Sequence, residues 1–132
     1  MMRRLLLALG LAVLAACGGG GGGGPIAGDI LVVVGGGVPQ TGALLLRIGG
    51  AIDQITPVGS YRIASAPIGG GGAGSAVTRI VITGTIAPGD LLRLRVPDVD
   101  QLSSYTATIE QAASAADFSL VDPALYSISF RQ

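Results

Sequence analysis

The sequence contains no histidine, no lysine and no tryptophan, and it has a single cysteine, Cys17. Without histidine there is no serine–histidine–aspartate relay, no imidazole zinc site and no imidazole that titrates near neutral pH. Without lysine there is no amine for a Schiff base or for a Walker-type phosphate loop. Hydrolysis by a pair of carboxylates stays open, but the eight acidic residues are scattered along the chain. We therefore predict that the protein is not an enzyme and that it carries no metal and no cofactor.

The chain also lacks a basic region. Beyond Cys17 it has six arginines and eight carboxylates, which gives a net charge near −2. Nucleic-acid binding needs a concentrated basic surface, so we expect no nucleic-acid partner.

Long apolar runs are scarce as well. The longest covers residues 5–16, follows Arg3 and Arg4, and ends at Leu14-Ala15-Ala16-Cys17. A membrane-spanning helix needs about 20 apolar residues, whereas a basic start, a short apolar stretch and small residues before a cut are typical of a secretory signal. A buried helix of this length is the alternative, and the glycines that follow argue against it.

The tetrapeptide that ends at Cys17 resembles the lipobox of bacterial lipoproteins. The resemblance implies that residues 1–16 are a lipoprotein signal peptide, that cleavage occurs before Cys17, and that the Cys17 thiol receives the lipid. Membrane lipid is then a partner through Cys17, and the protein belongs to the cell envelope. Gly18 after the cysteine, by analogy with lipoprotein sorting, indicates the outer membrane, facing the periplasm or the cell surface.

Residues 17–24 comprise the proposed lipidated cysteine and a tether of seven glycines. A glycine-rich segment of this length behaves as a flexible coil of about 15 Å, so the following domain is expected to stay close to the bilayer. Pro25 marks the boundary, and we expect a single domain over residues 25–132.

Apolar residues in this domain mostly alternate with polar ones, which indicates β-strands. Seven or eight strands separated by glycine and proline turns predict a small, all-β, antiparallel β-sandwich of the immunoglobulin-like or cohesin-like kind. The expected strands are Asp29–Val34, Ala43–Ile48, Ala51–Thr56, Tyr61–Ser65, Val77–Ile86, Leu91–Val96, Tyr105–Gln111 and Tyr126–Arg131.

Finer expectations concern pairing and faces. The first strand, Asp29–Val34, reads as buried on both sides, whereas Leu92, Leu94 and Val96 point inward and Arg93 and Arg95 outward. The turn 87–90 predicts a hairpin in which Leu91–Val96 pairs back onto the preceding strand. Residues 112–117 are expected to form a helical turn.

Three segments also resemble a known group of sandwiches. Residues 42–48 and 61–66, followed by a glycine loop and the strand 78–84, are similar in order to cohesin-type and related carbohydrate-binding-module sandwiches, over residues 29–111. The resemblance implies an extracytoplasmic sandwich that binds a partner rather than transforms a substrate.

Candidate ligand-binding residues are few. Tyr61 and Tyr105 are the candidates for stacking on sugar rings, although strand alternation places them, with Tyr126, more readily in the core or at its edge. Asp98 and Asp100 offer oxygens to Ca²⁺, or they cap a short turn at residues 101–104, which the sequence favours.

Two further patterns invite functional interpretation. Arg79, Arg93 and Arg95 form either an outward stripe across paired strands or an ordinary solvated sheet face. The glycine-rich stretch 69–74 is expected to be an inter-strand loop and not a phosphate cradle, because no Lys-Ser/Thr pair follows it.

These observations predict a lipid-anchored envelope protein that acts as a non-catalytic binding or structural module, with another envelope protein as a possible partner. A carbohydrate-binding accessory domain is the alternative. Binding of sugars by a domain of this size usually requires an exposed aromatic ring.

Overall fold

The computed structural model of the chain describes residues 23–68 and 76–132. The predicted signal peptide, Cys17, most of the glycine tether and the glycine loop at 69–74 lie outside the described residues.

The described residues form nine β-strands and two short 3₁₀ helices. One 3₁₀ helix covers Val99–Ser104 and the other covers Pro123–Leu125. The strands are β1 Gly28–Gly36, β2 Thr41–Gly49, β3 Gln54–Pro57, β4 Arg62–Pro67, β5 Val77–Ile86, β6 Gly89–Val96, β7 Thr106–Ser114, β8 Leu120–Val121 and β9 Tyr126–Arg131.

The strands form two packed antiparallel sheets, which confirms the predicted β-sandwich. Sheet 1 has the strand order β3-β6-β1-β9, and sheet 2 has the order β4-β5-β2-β7-β8. The expected seven or eight strands become nine because residues 120–121 form the two-residue strand β8, which pairs with the end of β7.

Strand alternation places the core as expected. Leu44, Leu46 and Ile48 of β2 are buried, and Leu92 and Leu94 of β6 are fully buried. Arg93 and Arg95 point outward as predicted. The residues of the two inner faces form one cluster between the sheets, so the sandwich has a single core.

The prediction that β1 is buried on both sides was wrong. Ile30, Val32 and Val34 are buried, whereas Leu31 and Val33 are only partly covered on the outer side of sheet 1. Other layers cover only the inner face of a sandwich sheet, so alternating burial is the rule even for an apolar strand.

The predicted hairpin between β5 and β6 was also wrong. In the structure β5 pairs with β2 and β4 in sheet 2, whereas β6 pairs with β1 and β3 in sheet 1. The turn at Ala87 and Pro88 therefore carries the chain from one sheet to the other. A short turn between two half-buried strands suits either arrangement, and packing across the core decides between them.

The helical turn expected at residues 112–117 is confirmed only in its second half: residues 112–114 are strand, whereas residues 115–117 form a turn in which the Phe118 N–H donates to the Ser114 oxygen at 3.1 Å. β7 continues to Ser114 and Ala112 is buried. Pairing of Ala112 and Ala113 with β2 on one side and β8 on the other overrides the helical preference of alanine.

Candidate binding surface

Tyr105 lies in the core, where it is 8% exposed. Its hydroxyl donates to the backbone oxygen of Ala51, and its ring meets that of Phe130 edge to face at a centroid distance of 6.2 Å. Burial raises the pKa of the Tyr105 hydroxyl, and the charges of Asp53 and Asp98 raise it further. The ring thus supports the fold and leaves no open face for a sugar.

Tyr61 is half-buried next to β4. Its hydroxyl accepts a hydrogen bond from the Ala87 N–H at 3.4 Å. A Cβ atom on Gly84 would lie 3.1 Å from Tyr61 Cδ1, so this glycine lets the ring lie close against β5. Tyr126 is likewise half-buried, and its hydroxyl lies 2.7 Å from that of the buried Thr41.

Asp98 caps the first 3₁₀ helix, as the sequence favoured, although that helix begins at Val99 rather than Gln101. Its Oδ1 atom accepts from the N–H of Asp100 at 3.1 Å and from the N–H of Ile26 at 3.3 Å. The carboxylate thereby fastens the start of the domain to the helix. Within residues 23–68 and 76–132, no three potential metal ligands cluster.

The outer face of sheet 1 is charged. Arg95 pairs with Asp29 at 3.4 Å, and Arg131 pairs with Asp90 at 2.6 Å. The proposed stripe of Arg79 with Arg93 and Arg95 was wrong, because Arg79 lies in β5 of the other sheet. The stripe would require β5 to pair with β6, and that hairpin does not form.

The outer face of sheet 2 carries a group of apolar side chains, with Gln111 beside Leu45 and Thr83 beside Ala43. The register places Val81 beside Leu45 on one side and Ala64 on the other, and it places Ala43 beside Ala113, which pairs with Leu120. We call these residues the apolar face; its members are Ala43, Leu45, Ala64, Val81, Ala113 and Leu120.

Two shallow hollows flank Leu120 on this side of the molecule. One, of about 180 Å³, lies over the apolar face between Val81 and Leu120. The other, of about 390 Å³, lies where the chain leaves β8 at Asp122 and Pro123. Leu120 is 76% exposed and Val81 41%, so apolar side chains are available at the surface.

Arginines border the apolar face. Arg79 Nε lies 2.8 Å from Glu110 Oε2, and Arg47 Nη1 lies 3.9 Å from Glu110 Oε1. Arg62 is exposed beside Thr83 on the same face. Three arginines and one glutamate leave this border with a net positive charge.

Phe118 protrudes from the turn between β7 and β8 and is 80% exposed. Its φ of 58° lies in the left-handed region, which an aromatic residue rarely adopts. Ser119 supports the turn by donating from its hydroxyl to Asp117 Oδ1 at 2.7 Å and from its N–H at 3.1 Å. These two bonds lower the pKa of Asp117 and hold the turn that displays the ring.

Sequence reasoning missed the exposed positions of Phe118 and Leu120. The stretch Ala115-Ala116-Asp117-Phe118-Ser119 combines small residues with an aspartate and a serine two residues apart, a pattern that favours a side-chain-supported turn. This pattern predicts a turn. A large apolar residue within a surface turn is then expected to be exposed.

No protein-family model, curated protein or solved structure matches this chain. The cohesin-type resemblance therefore stays a prediction from the sequence. None of the helices in the described parts of the chain is long and apolar enough to cross a bilayer.

Proposed function

We propose that the protein is a lipid-anchored component of the bacterial cell envelope that acts as a non-catalytic binding module. In this proposal Cys17 carries the lipid in the outer membrane, and the sandwich binds another envelope protein through the apolar face of sheet 2. Support for the anchor comes from the signal-like residues 1–16 and the lipobox that ends at Cys17. Two or more acyl chains hold a protein firmly in a bilayer, because each buried CH₂ contributes about 0.8 kcal/mol.

The observation that carries the binding role is the apolar face itself. A sandwich sheet that is solvated on its outer side normally alternates apolar and polar residues. Sheet 2 shows Val81, which is 41% exposed, and Leu120, which is 76% exposed, to the outside, and the half-buried Leu45 lies beside Val81. A surface of this kind favours contact with a protein.

The border of the apolar face indicates the chemistry of the partner. Arg47, Arg62 and Arg79 outnumber Glu110, so an interface of complementary charge presents carboxylates around an apolar centre. We therefore propose an envelope protein with an acidic, apolar contact region.

Mass spectrometry of the N-terminal peptide of the mature protein tests the anchor. We expect an acylated Cys17 at the new N-terminus. An unmodified Cys17, or cleavage at another position, would contradict the anchor without bearing on the binding surface.

Affinity purification from detergent-solubilised envelopes tests the binding role. We expect one defined envelope protein to co-purify with the tagged full chain and with the Arg93→Glu variant. The Val81→Glu variant should lose it, because the new charge would be buried unpaired in the interface. Equal recovery with both variants would contradict the assigned face.

A carbohydrate-binding accessory role is the second candidate, and the exposed Phe118 ring is the observation that favours it. Stacking on a pyranose needs an accessible ring, which Tyr105 does not offer. Retention on insoluble polysaccharides that disappears with Phe118→Ala, but persists with Arg93→Ala, would support this role. We expect no retention, because Asp117 and Ser119 beside the ring hydrogen-bond to each other, and a single ring gives weak binding.

A further inference from the structure

Arg47 of β2 lies directly opposite Arg79 of β5 on the outer face of sheet 2, and both side chains are about half exposed. Like charges that lie directly opposite each other on neighbouring strands destabilise a sheet. On sheet 1, by contrast, Arg95 pairs with Asp29, and Arg131 pairs with Asp90. The Arg47–Arg79 pair therefore weakens the sheet unless carboxylates compensate both charges.

A β-bulge in β7 brings one carboxylate to this arginine pair. The register between β2 and β7 shifts at Leu45 and Leu46, and Glu110 is the extra residue at the shift. Bulges of this kind can redirect a side chain. Here the Glu110 carboxylate reaches both arginines, so a single negative charge is shared between two positive ones.

Glu110 contacts the two arginines unequally. Arg79 Nε lies 2.8 Å from Glu110 Oε2, and Arg79 Nη2 donates to Oε1 at 3.3 Å. Arg47 Nη1 lies 3.9 Å from Oε1, which is beyond hydrogen-bond distance. The carboxylate thus serves Arg79 first, and the charge of Arg47 is the one left poorly compensated.

The arginine pair adjoins the apolar face. Arg47 is two residues from Leu45 along β2, and Arg79 is two residues from Val81 along β5, which is about 7 Å along each strand. A protein that covers Leu45 and Val81 therefore also removes water from the arginines beside them. A charge that loses water in an interface without gaining a counter-charge weakens binding.

We infer that an aspartate or glutamate of the partner protein binds Arg47 and completes a group of two arginines and two carboxylates. The inference rests on the proposed function, within which it assigns Arg47 as a residue that determines specificity. Arg79 stays with Glu110, and the partner's carboxylate takes the N–H donors of Arg47, an arrangement that arginine can make through two parallel hydrogen bonds.

This arrangement explains how the face would reject other partners. A protein with an equally apolar contact region, but without a carboxylate at this place, would leave the Arg47 charge buried and unpaired. Discrimination of this kind depends on the penalty against the wrong partner as much as on the contact with the right one.

Arg47→Gln separates a binding role from a structural one. In the full chain in detergent, the urea midpoint should stay the same or rise, because the variant ends the like-charge contact and leaves Glu110 with Arg79. Recovery of the envelope protein that the wild type co-purifies should fall to a small fraction, whereas Arg93→Gln on sheet 1 should retain it. Full recovery with Arg47→Gln, or a loss accompanied by a lower urea midpoint, would overturn the inference.

Zero-length crosslinking tests the direct contact. The chain contains no lysine, so Arg47→Lys introduces a single ε-amine. A carbodiimide activates a carboxylate by adding to its oxygen; the amine then attacks the carbonyl carbon, the carbodiimide leaves as a urea, and an amide bond forms. Glu110→Gln is included in the same variant, so that the amine does not react with Glu110.

In solubilised envelopes we expect an amide between position 47 and one aspartate or glutamate of the co-purifying protein, located by mass spectrometry. The matched variant Arg93→Lys with Glu110→Gln should give no such link. No link from position 47, or the same yield from position 93, would contradict the contact.

The outcomes separate this inference from the proposed function. If the wild type retains an envelope protein that Val81→Glu loses, but neither test involves Arg47, the apolar face is the contact surface and the assignment of Arg47 is wrong. If the wild type retains no envelope protein, the proposed binding role fails and the inference fails with it.

Discussion

The two outer faces of this sandwich are built from strands with the same alternation, but they expose different chemistry. The outer face of sheet 1, formed by β1, β6 and β9, exposes two ion pairs to solvent. These are Asp29 with Arg95 and Asp90 with Arg131. The outer face of sheet 2 carries Val81 of β5, which is 41% exposed, and the half-buried Leu45 of β2. The same sheet also carries charge beside these residues, because Arg47 of β2 and Arg79 of β5 pair with Glu110 of β7.

The difference between the two outer faces is not required by the fold. Both sheets contribute their inner faces to the core, so core packing does not explain the apolar residues on the outside of sheet 2. Sheet 1 also leaves Leu31 and Val33 partly exposed, but none of its outward strand residues is a large apolar side chain as exposed as Val81 or Leu120. Exposed apolar area carries a cost in solubility. This is why we propose that the apolar face contacts a partner.

The largest expected effect on stability tests which side chains of β6 point into the core. Leu94→Ala should lower the free energy of unfolding by about 2–5 kcal/mol, because it leaves a cavity among fully buried side chains. Its neighbour Arg93→Ala should change little, since Arg93 is exposed. Chemical denaturation measures both, and similar losses for the two variants would mean that the faces are assigned wrongly.

A smaller effect on stability is expected from a substitution at the buried Tyr105. Tyr105→Phe removes the hydrogen bond to Ala51 and should cost about 0.5–1.5 kcal/mol at neutral pH. Burial raises the folded-state pKa of Tyr105, so its contribution is complete below about pH 10 and is lost as the pH rises through the higher folded-state value.

Chemical denaturation at a series of alkaline pH values tests whether the contribution of Tyr105 to stability falls as the pH rises. The wild type should lose stability faster than Tyr105→Phe as the pH rises above 10. Parallel curves for the two proteins would show that Tyr105 ionises equally well in the folded and unfolded chains.

Much of the fold follows from the sequence, because each strand carries its own alternation. Leu44, Leu46 and Ile48 identify the inner face of β2 without reference to any neighbour, and Leu92, Leu94 and Val96 do so for β6. Pairing is different, since it depends on residues far apart in the chain. The turn at Ala87 and Pro88 suits a hairpin or a crossover between sheets, so local residues do not decide which strand lies beside β6.

The candidate site depended on pairing and was therefore missed. Val81, Leu45 and Ala64 become neighbours only when β5 lies between β2 and β4. Leu120 joins them through β8, a strand of two residues that is too short to show a pattern. Residue type suggested Tyr61 and Tyr105 as candidates, but Tyr105 follows the first 3₁₀ helix at a position that the core buries, so its ring is not at the surface.

The third prediction compares the two outer faces directly. Val81→Thr on sheet 2 should change the free energy of unfolding by no more than about 0.5 kcal/mol, and Asp90→Asn on sheet 1 by about 0–1 kcal/mol. The Asp90→Asn effect should shrink at high salt, because Arg131 and Asp90 form an exposed ion pair. A large loss of stability for Val81→Thr would mean that the apolar face supports the fold and needs no partner.

The smallest effect concerns the turn that displays Phe118. Hydrogen bonds from Ser119 lower the folded-state pKa of Asp117, so its contribution is present above about pH 4 and is lost as the pH falls through the folded-state value. Asp117→Asn should therefore flatten the acid side of the stability profile slightly. Ser119→Ala should act in the same direction, because it removes the hydroxyl that donates to Asp117.

Site-specific photo-crosslinking in intact cells tests the central claim most directly. A photoreactive phenylalanine replaces Val81 on the apolar face in one variant and Arg93 on the charged face in another, and adducts are identified by mass spectrometry. We predict one defined adduct with another envelope protein from position 81 and none from position 93. Equal adducts from the two positions, or none from position 81 at normal expression, would contradict the assignment of the apolar face as the contact surface.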